Sequence, residues 1–367
     1  MRPFVAVLAL LLGLVVAVNG LAVWDRARHE ARIERAAAAF APGQALLGYR
    51  DTDERRFQKA RLAVIPRPRV VVFGSSRVMT ISTAMVGAAP GEFYNAGLSG
   101  GTVEDFIVMW STLKATDRIP ELAIFGIDNW EFNKSHPQVR WLAWADDVSR
   151  FVETTEGAGG WRRADEVLYR WYQLKDLVSF SVLRRSLTDL RRLRLDREPR
   201  GAELVRSLAD QLVDERRVDG RRALRADGSL VYERAYEARG PDEVRPDALD
   251  FVRLHHANLG GFAWDGERAR RLDLLWRDMR AHGVRIVAYL PPYHPLVWEA
   301  LRRDDAAMAG LARTRAALAG LAGPRADVHD LSDPASVPCA ESDFLDGTHA
   351  RAACMARVLA RARDGAP

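Results

Sequence analysis

A hydroxyl nucleophile, an imidazole and a carboxylate are the parts needed for acyl transfer through serine. The chain offers all three where loops should lie. "GSSR" (Gly74–Arg77) follows the apolar β-branched run "RVVVF", and "DFLDGTH" (Asp343–His349) precedes the last helical pattern. In the Asp346-x-x-His349 spacing the carboxylate can orient the ring and stabilise its cation, leaving the other ring nitrogen for a serine hydroxyl. Each motif alone has a plainer reading: a turn capping a helix, and an Asp346 cap with an exposed histidine. "GSSR" does not fit a P-loop, which ends in Gly-Lys-Ser/Thr.

The elements that must position these residues follow an α/β rhythm. Arg69–Phe73, Glu92–Asn95, Glu121–Ile127, Val284–Leu290 and Ala326–Ser332 read as strands; Thr102–Lys114 and a segment from near Thr348 to about Ala362 read as helices. Alternating strands and helices predict a mainly parallel sheet covered on both faces. Open sheets of this kind carry their sites at the carboxyl ends of strands. The loops there are "GSSR", "NAGLSGGT" (Asn95–Thr102), "GIDNWEFN" (Gly126–Asn133), "PPYHP" (Pro291–Pro295) and "DFLDGTH". The glycines of the second are turn formers or bring backbone N–H groups to a developing oxyanion. Arg77 either binds a substrate oxygen or pairs with an acid. Trp130 and Phe132 form a sugar-stacking wall or pack inward, and Tyr293 and His294 should face the same cleft. His255, His256 and His329 have no metal-ligand spacing, and no cofactor is expected.

In this order the loops resemble those of the SGNH/GDSL hydrolase superfamily. "GSSR", "YNAGLSGGTVEDF" and "FGIDNWEFN" are most similar to its membrane-anchored branch, near alginate O-acetylation and D-alanine transfer proteins. The resemblance covers residues 69–133 and 284–362. It implies a flavodoxin-like three-layer α/β/α fold and ester chemistry. Ser76 matches the nucleophile, His349 the base and Asp346 its orienting partner. Ser75 fills the place of the family's aspartate. The N–H groups of Ser76 and Gly100 match oxyanion donors. One block departs: the family's oxyanion asparagine falls at Asp128, with Asn129 one residue later. A carboxylate there would repel an oxyanion unless protonated or turned away, so either Asn129 supplies the amide or the hole is altered.

The rest of the chain sets the context. It has 367 residues, a net charge of +5 that is almost wholly arginine, and a globular composition of 48% hydrophobic and 28% charged residues. Arg/Ala richness runs throughout, and no zinc-ligand spacing, RNA-binding signature or basic zipper supports a nucleic-acid partner. Pro3–Trp24 carries no charge. As a helix it spans on the order of 30 Å, enough for a single-pass membrane anchor, though a cleaved signal with a site near Gly20–Ala22 is the other reading. Residues 25–68 read as a helical stalk and connector, and 69–365 as the α/β domain. Within it, a charged, helical insertion runs over about 133–253. Arginines after the span argue against export by the positive-inside rule. The chemistry and the two cysteines favour a catalytic domain in the periplasm, outside the inner membrane. Cys339 and Cys354 would pair there, or stand as two buried thiols.

The expected function is that of a membrane-anchored serine acyltransferase or esterase acting on acyl esters of a cell-envelope glycan, served by a membrane-bound acyl-transfer partner. The alternative is an inactive scaffold or glycan-binding component of a biosynthetic complex.

Overall fold

The computed structural model describes residues 13, 15–18, 33–47, 53–136, 138, 140–157, 211–259 and 262–364, with the backbone alone for 255–259 and 364. Pro3–Trp24 lies outside them apart from a few helical positions, as does the helical pattern "ADEVLYRWYQLKDLVSFSVLRRSL" of the insertion. Among the described residues no helix is long and apolar enough to cross a membrane.

After a helical stretch over 33–39, the chain forms β1 (Gln44–Leu47) and α1 (Glu54–Leu62), then β2 (Val70–Gly74), α2 (Thr83–Val86), β3 (Phe93–Asn95), α3 (Val103–Ala115) and β4 (Leu122–Gly126). The insertion supplies α4 (Ala145–Glu156), β5 (Leu212–Asp214), β6 (Ala223–Arg225), β7 (Leu230–Val231), α5 (Arg234–Glu237) and α6 (Pro241–Leu259). The α/β pattern resumes with α7 (Gly266–Ala281), β8 (Arg285–Leu290), α8 (Pro295–Arg302), α9 (Asp305–Leu321), β9 (Ala326–Asp330) and α10 (Ala352–Asp364).

Five strands form a parallel sheet in the order β3-β2-β4-β8-β9. All five residues of β2 are buried, as a strand covered on both faces requires. Alternate side chains feed two separate cores. Val71, Phe73, Phe125 and Ala288 join one with α3 and α7, in which Phe73 stacks on Phe125 at 4.9 Å. Val70, Val72, Ile124 and Val287 join the other with α10. At the strand ends Gly74 pairs with Gly126. A Cβ on Gly74 would lie 2.8 Å from the Gly126 carbonyl oxygen, so only glycine lets the two loops start this close.

Two expectations change. The insertion is helical only in part: β5, β6 and β7 build a second, antiparallel sheet with β1, in the order β5-β1-β6-β7. The described part of the segment 25–68, residues 33–47 and 53–68, packs on the domain and does not lead away as a stalk. Its strand β1 is central in that sheet, and α1 is tied to α3 by the buried Arg55–Asp105 pair, with bonds of 2.8 and 2.9 Å. These four strands and the tie are invisible to local patterning, because strands of two to four residues have too few positions to show a period.

Candidate active site

The serine loop begins where β2 ends. Ser75 is extended and caps a short 3-10 turn, Ser76–Val78, by accepting from the Arg77 N–H at 3.3 Å. That turn aims Ser76 toward the carboxyl edge of the sheet. The partner loop arrives from the other end of the domain. Leu345 N–H bonds the His349 carbonyl at 2.8 Å, and Phe344 bridges to Ala350. His349 therefore sits in a closed loop, and α10 starts at Ala352, later than the pattern suggests.

These loops meet. Ser76 Oγ lies 2.8 Å from His349 Nε2, and His349 Nδ1 lies 2.6 Å from Asp346 Oδ2. With the proton on Nδ1 donated to Asp346, Nε2 is free to accept from the serine. Asp346 is closely held. Its Oδ1 accepts the Thr348 and His349 N–H groups at 2.8 Å each, and Oδ2 accepts the Tyr236 hydroxyl at 2.9 Å. Burial disfavours its charge, but His349 and the two backbone donors outweigh burial and hold its pKa well below the usual carboxylate range.

Arg77 is not aimed at a ligand. Its guanidinium donates to Asp128 Oδ1 at 2.7 Å, to the Thr348 carbonyl at 3.1 Å and to the Pro292 carbonyl at 2.5 Å, over the Tyr293 ring at 4.5 Å. One planar cation thus gathers the loops after β2, β4 and β8 and the histidine loop. Burial works against its charge, yet Asp128 and the neighbouring tyrosines raise its pKa. Asp128 is saturated from the other side: Ser75 Oγ donates to its Oδ2 at short range. The carboxylate thus has an internal counter-ion, and Ser75 serves this network while Ser76 faces the histidine.

Asn129 does not reach the serine. Its amide oxygen accepts from Thr314 Oγ1 on α9 at 2.7 Å, on the far side of the β4 loop. Asn129 lines neither cavity that holds Ser76, whereas Asp128 lines one, which goes against the reading of Asn129 as the oxyanion amide. Among the described residues, the Ser76 and Gly100 N–H groups donate to no hydrogen bond. Gly100 adopts φ +58°, a left-handed conformation that glycine takes without strain.

His294 is corrected too. Its Nδ1 accepts from Leu296 N–H at 3.2 Å, capping α8, and its ring packs on Phe344. Burial lowers its pKa. His294 is turned inward as the cap of α8, and of the two only Tyr293 faces the cleft. Phe132 is fully buried against Trp264, while Trp130 remains at the cleft beside His136. Cys339 and Cys354 form a disulfide that spans the Asp346–His349 loop.

Two cavities share Ser76 and His349 and no other residue. The wider, about 610 Å³, adds Asp346, Ser99 and a wall from the insertion, including Arg222, Tyr232, Glu233 and Tyr236. The smaller, about 240 Å³, adds Asp128, Trp130, Phe251, Leu254 and Tyr293. Arg222 Nε is buried with no hydrogen-bond partner among the described residues, and its guanidinium lies over Tyr232. Burial pushes the Tyr232 hydroxyl up to about 12.

Sequence reasoning missed the insertion wall and the support of the Gly100 loop. Glu54 Oε1 accepts the Ser99 N–H at 2.8 Å, and Arg55 donates to the Gly100 carbonyl at 3.2 Å. Asp105, which closes the capping box of α3 with Thr102, holds Arg55 in place. The one signal in the sequence is that capping box, Thr102-x-x-Asp105. No family model and no curated protein matches the chain. Among the described residues no group of three or more His, Cys, Asp or Glu side chains could hold a metal ion.

Proposed function

We propose that this protein is a serine acyltransferase or esterase of the SGNH type, with a flavodoxin-like α/β/α domain. The observation that carries the reading is the continuous chain from Ser76 Oγ through His349 to Asp346 Oδ2, at 2.8 and 2.6 Å. Ser76 Oγ attacks the ester carbonyl while His349 Nε2 takes its proton. The same proton passes to the leaving alkoxide as the carbonyl–oxygen bond breaks. Asp346 keeps the ring in the right tautomer and stabilises its cation. An acceptor hydroxyl then attacks the acyl-serine, and its proton returns through His349 to Ser76. The unengaged N–H groups of Ser76 and Gly100 are the donors for the oxyanion.

The wide polar cavity suits the alcohol side of such an ester, and a cell-envelope glycan is the substrate class that the loop resemblance suggests. On this reading Pro3–Trp24 anchors the domain at the outer face of the inner membrane, beside a membrane protein that delivers the acyl donor. The second reading, an inactive scaffold, rests on Asp128 where the resembled family carries an amide.

A fluorophosphonate probe separates the two. Labelling of the folded protein that disappears in Ser76→Ala and falls at least a hundredfold in His349→Ala supports the enzyme. Folded protein that does not label, or labels equally in Ser76→Ala, overturns it.

A further inference from the structure

Two cavities that meet only at the nucleophile and its base give an acyl-transfer site two chambers. The wide one carries unspent polar groups and opens onto the insertion. In the smaller one most of the polar side chains are already engaged. Ser75 and Arg77 bond Asp128, Arg77 also holds Thr348 and Pro292, and Thr348 Oγ1 faces Asp346. Among the described residues only His136, its ring 4.6 Å from that of Trp130, keeps a buried nitrogen without a partner there. A sugar in this chamber would leave most of its hydroxyls unmatched, each costing about 1–3 kcal/mol once buried. An alkyl chain needs no partners. Leu254, 59% exposed, lines the chamber and makes its rim apolar.

We propose that the chamber lined by Trp130, Phe251, Leu254 and Tyr293 is an acyl-chain pocket, and that the transferred acyl group is aliphatic with about four to eight carbons. The length follows from the volume. At roughly 30 Å³ per water-sized group, 240 Å³ takes about eight heavy atoms. During the reaction the carbonyl carbon bonds Ser76 Oγ, the alkoxide leaves toward the wide cavity with the proton from His349, and the alkyl tail stays in the small chamber. This inference rests on the serine-enzyme reading above.

The test uses p-nitrophenyl esters from acetate to dodecanoate, together with fluorophosphonates bearing methyl, hexyl and dodecyl chains, on the full chain. Full burial of one methylene is worth about fourfold in rate. The expected result is kcat/KM and labelling rate rising at least tenfold from two to six carbons and falling again by twelve. Leu254→Asp, an exposed position that tolerates the change, should reduce the hexanoate-to-acetate ratio at least fivefold. A flat profile, or one highest at acetate, in protein that labels at Ser76 overturns the acyl pocket and leaves the serine enzyme standing. No turnover and no labelling with any chain overturns both.

Discussion

Arg77→Met removes the cation that draws four loops together. The side chains of Arg77 and Asp128 are 5% and 0% exposed. Their charges attract by about 4 kcal/mol at a separation near 4 Å and an effective dielectric of about 20. The Thr348 and Pro292 carbonyls would each lose a charge-assisted donor, at about 1.5–3 kcal/mol apiece. Against this, a buried guanidinium no longer has to be desolvated, and methionine refills part of the stem volume. The decisive term is what stays behind: Asp128, fully buried, without its counter-ion. The net cost is about 3–5 kcal/mol. Urea unfolding followed by tryptophan fluorescence reads it directly, and fluorophosphonate labelling below the transition reads the site. Labelling should slow as well, because the Thr348 carbonyl lies one residue before His349. Arg77→Met with Asp128→Leu removes both charges and should recover at least half of the loss. The reasoning is refuted if the single variant costs under about 1 kcal/mol, or if the double variant is no more stable than the single.

Three further outcomes follow from other parts of the structure. Tyr236→Phe takes one donor from Asp346 Oδ2 and should lower kcat about fivefold, the value of one hydrogen bond; unchanged kcat would show that the insertion does not tune the carboxylate. Reducing the Cys339–Cys354 disulfide, whose partners are 15 residues apart, should destabilise the fold by about 3 kcal/mol in the chain-entropy model, read as a lower urea midpoint, and an unmoved midpoint would refute it. Burial opposes the Glu104 charge, but Arg268 and Arg271 outweigh it and lower the Glu104 pKa to about 2. Its contribution is therefore complete above the unfolded value of about 4.3 and vanishes as pH falls toward 2. The stability gap between the wild type and Glu104→Gln should be on the order of 3 kcal/mol at pH 7 and close across that window; a gap independent of pH would refute the assignment.

Much of the sheet was legible in the sequence because buried parallel strands are short apolar runs, and such runs end where the chain must turn. "RVVVF", "ELAIFGI" and "VRIVAYL" carry that pattern locally. The loops that follow them were legible for the same reason: a strand's carboxyl end fixes the edge on which its next residues lie. That places Ser76, Asp128 and Tyr293 on one edge before any contact is known. Which neighbour takes which role is a different matter. Ser75 and Ser76 are chemically alike, as are Asp128 and Asn129 in size. A rotation of one residue sends each to a different partner, and only packing selects the rotation. Asp128 was a flaw by sequence, an acid where an amide was expected. It became a paired ion only once Arg77 was seen to be buried against it.

The sequence alone determined the α/β class, the order of the strands along the chain and which loops carry a serine, a histidine and an aspartate, since these depend on periodicity and composition along the chain. The tertiary structure decided the rest. It brought Ser76 to His349 across 273 positions, turned Asn129 and His294 away, bound β1 into the insertion's sheet, and set Tyr236 on Asp346. Such contacts join segments far apart in the chain. Their free energy resides in burial and hydrogen-bond geometry that no local pattern records.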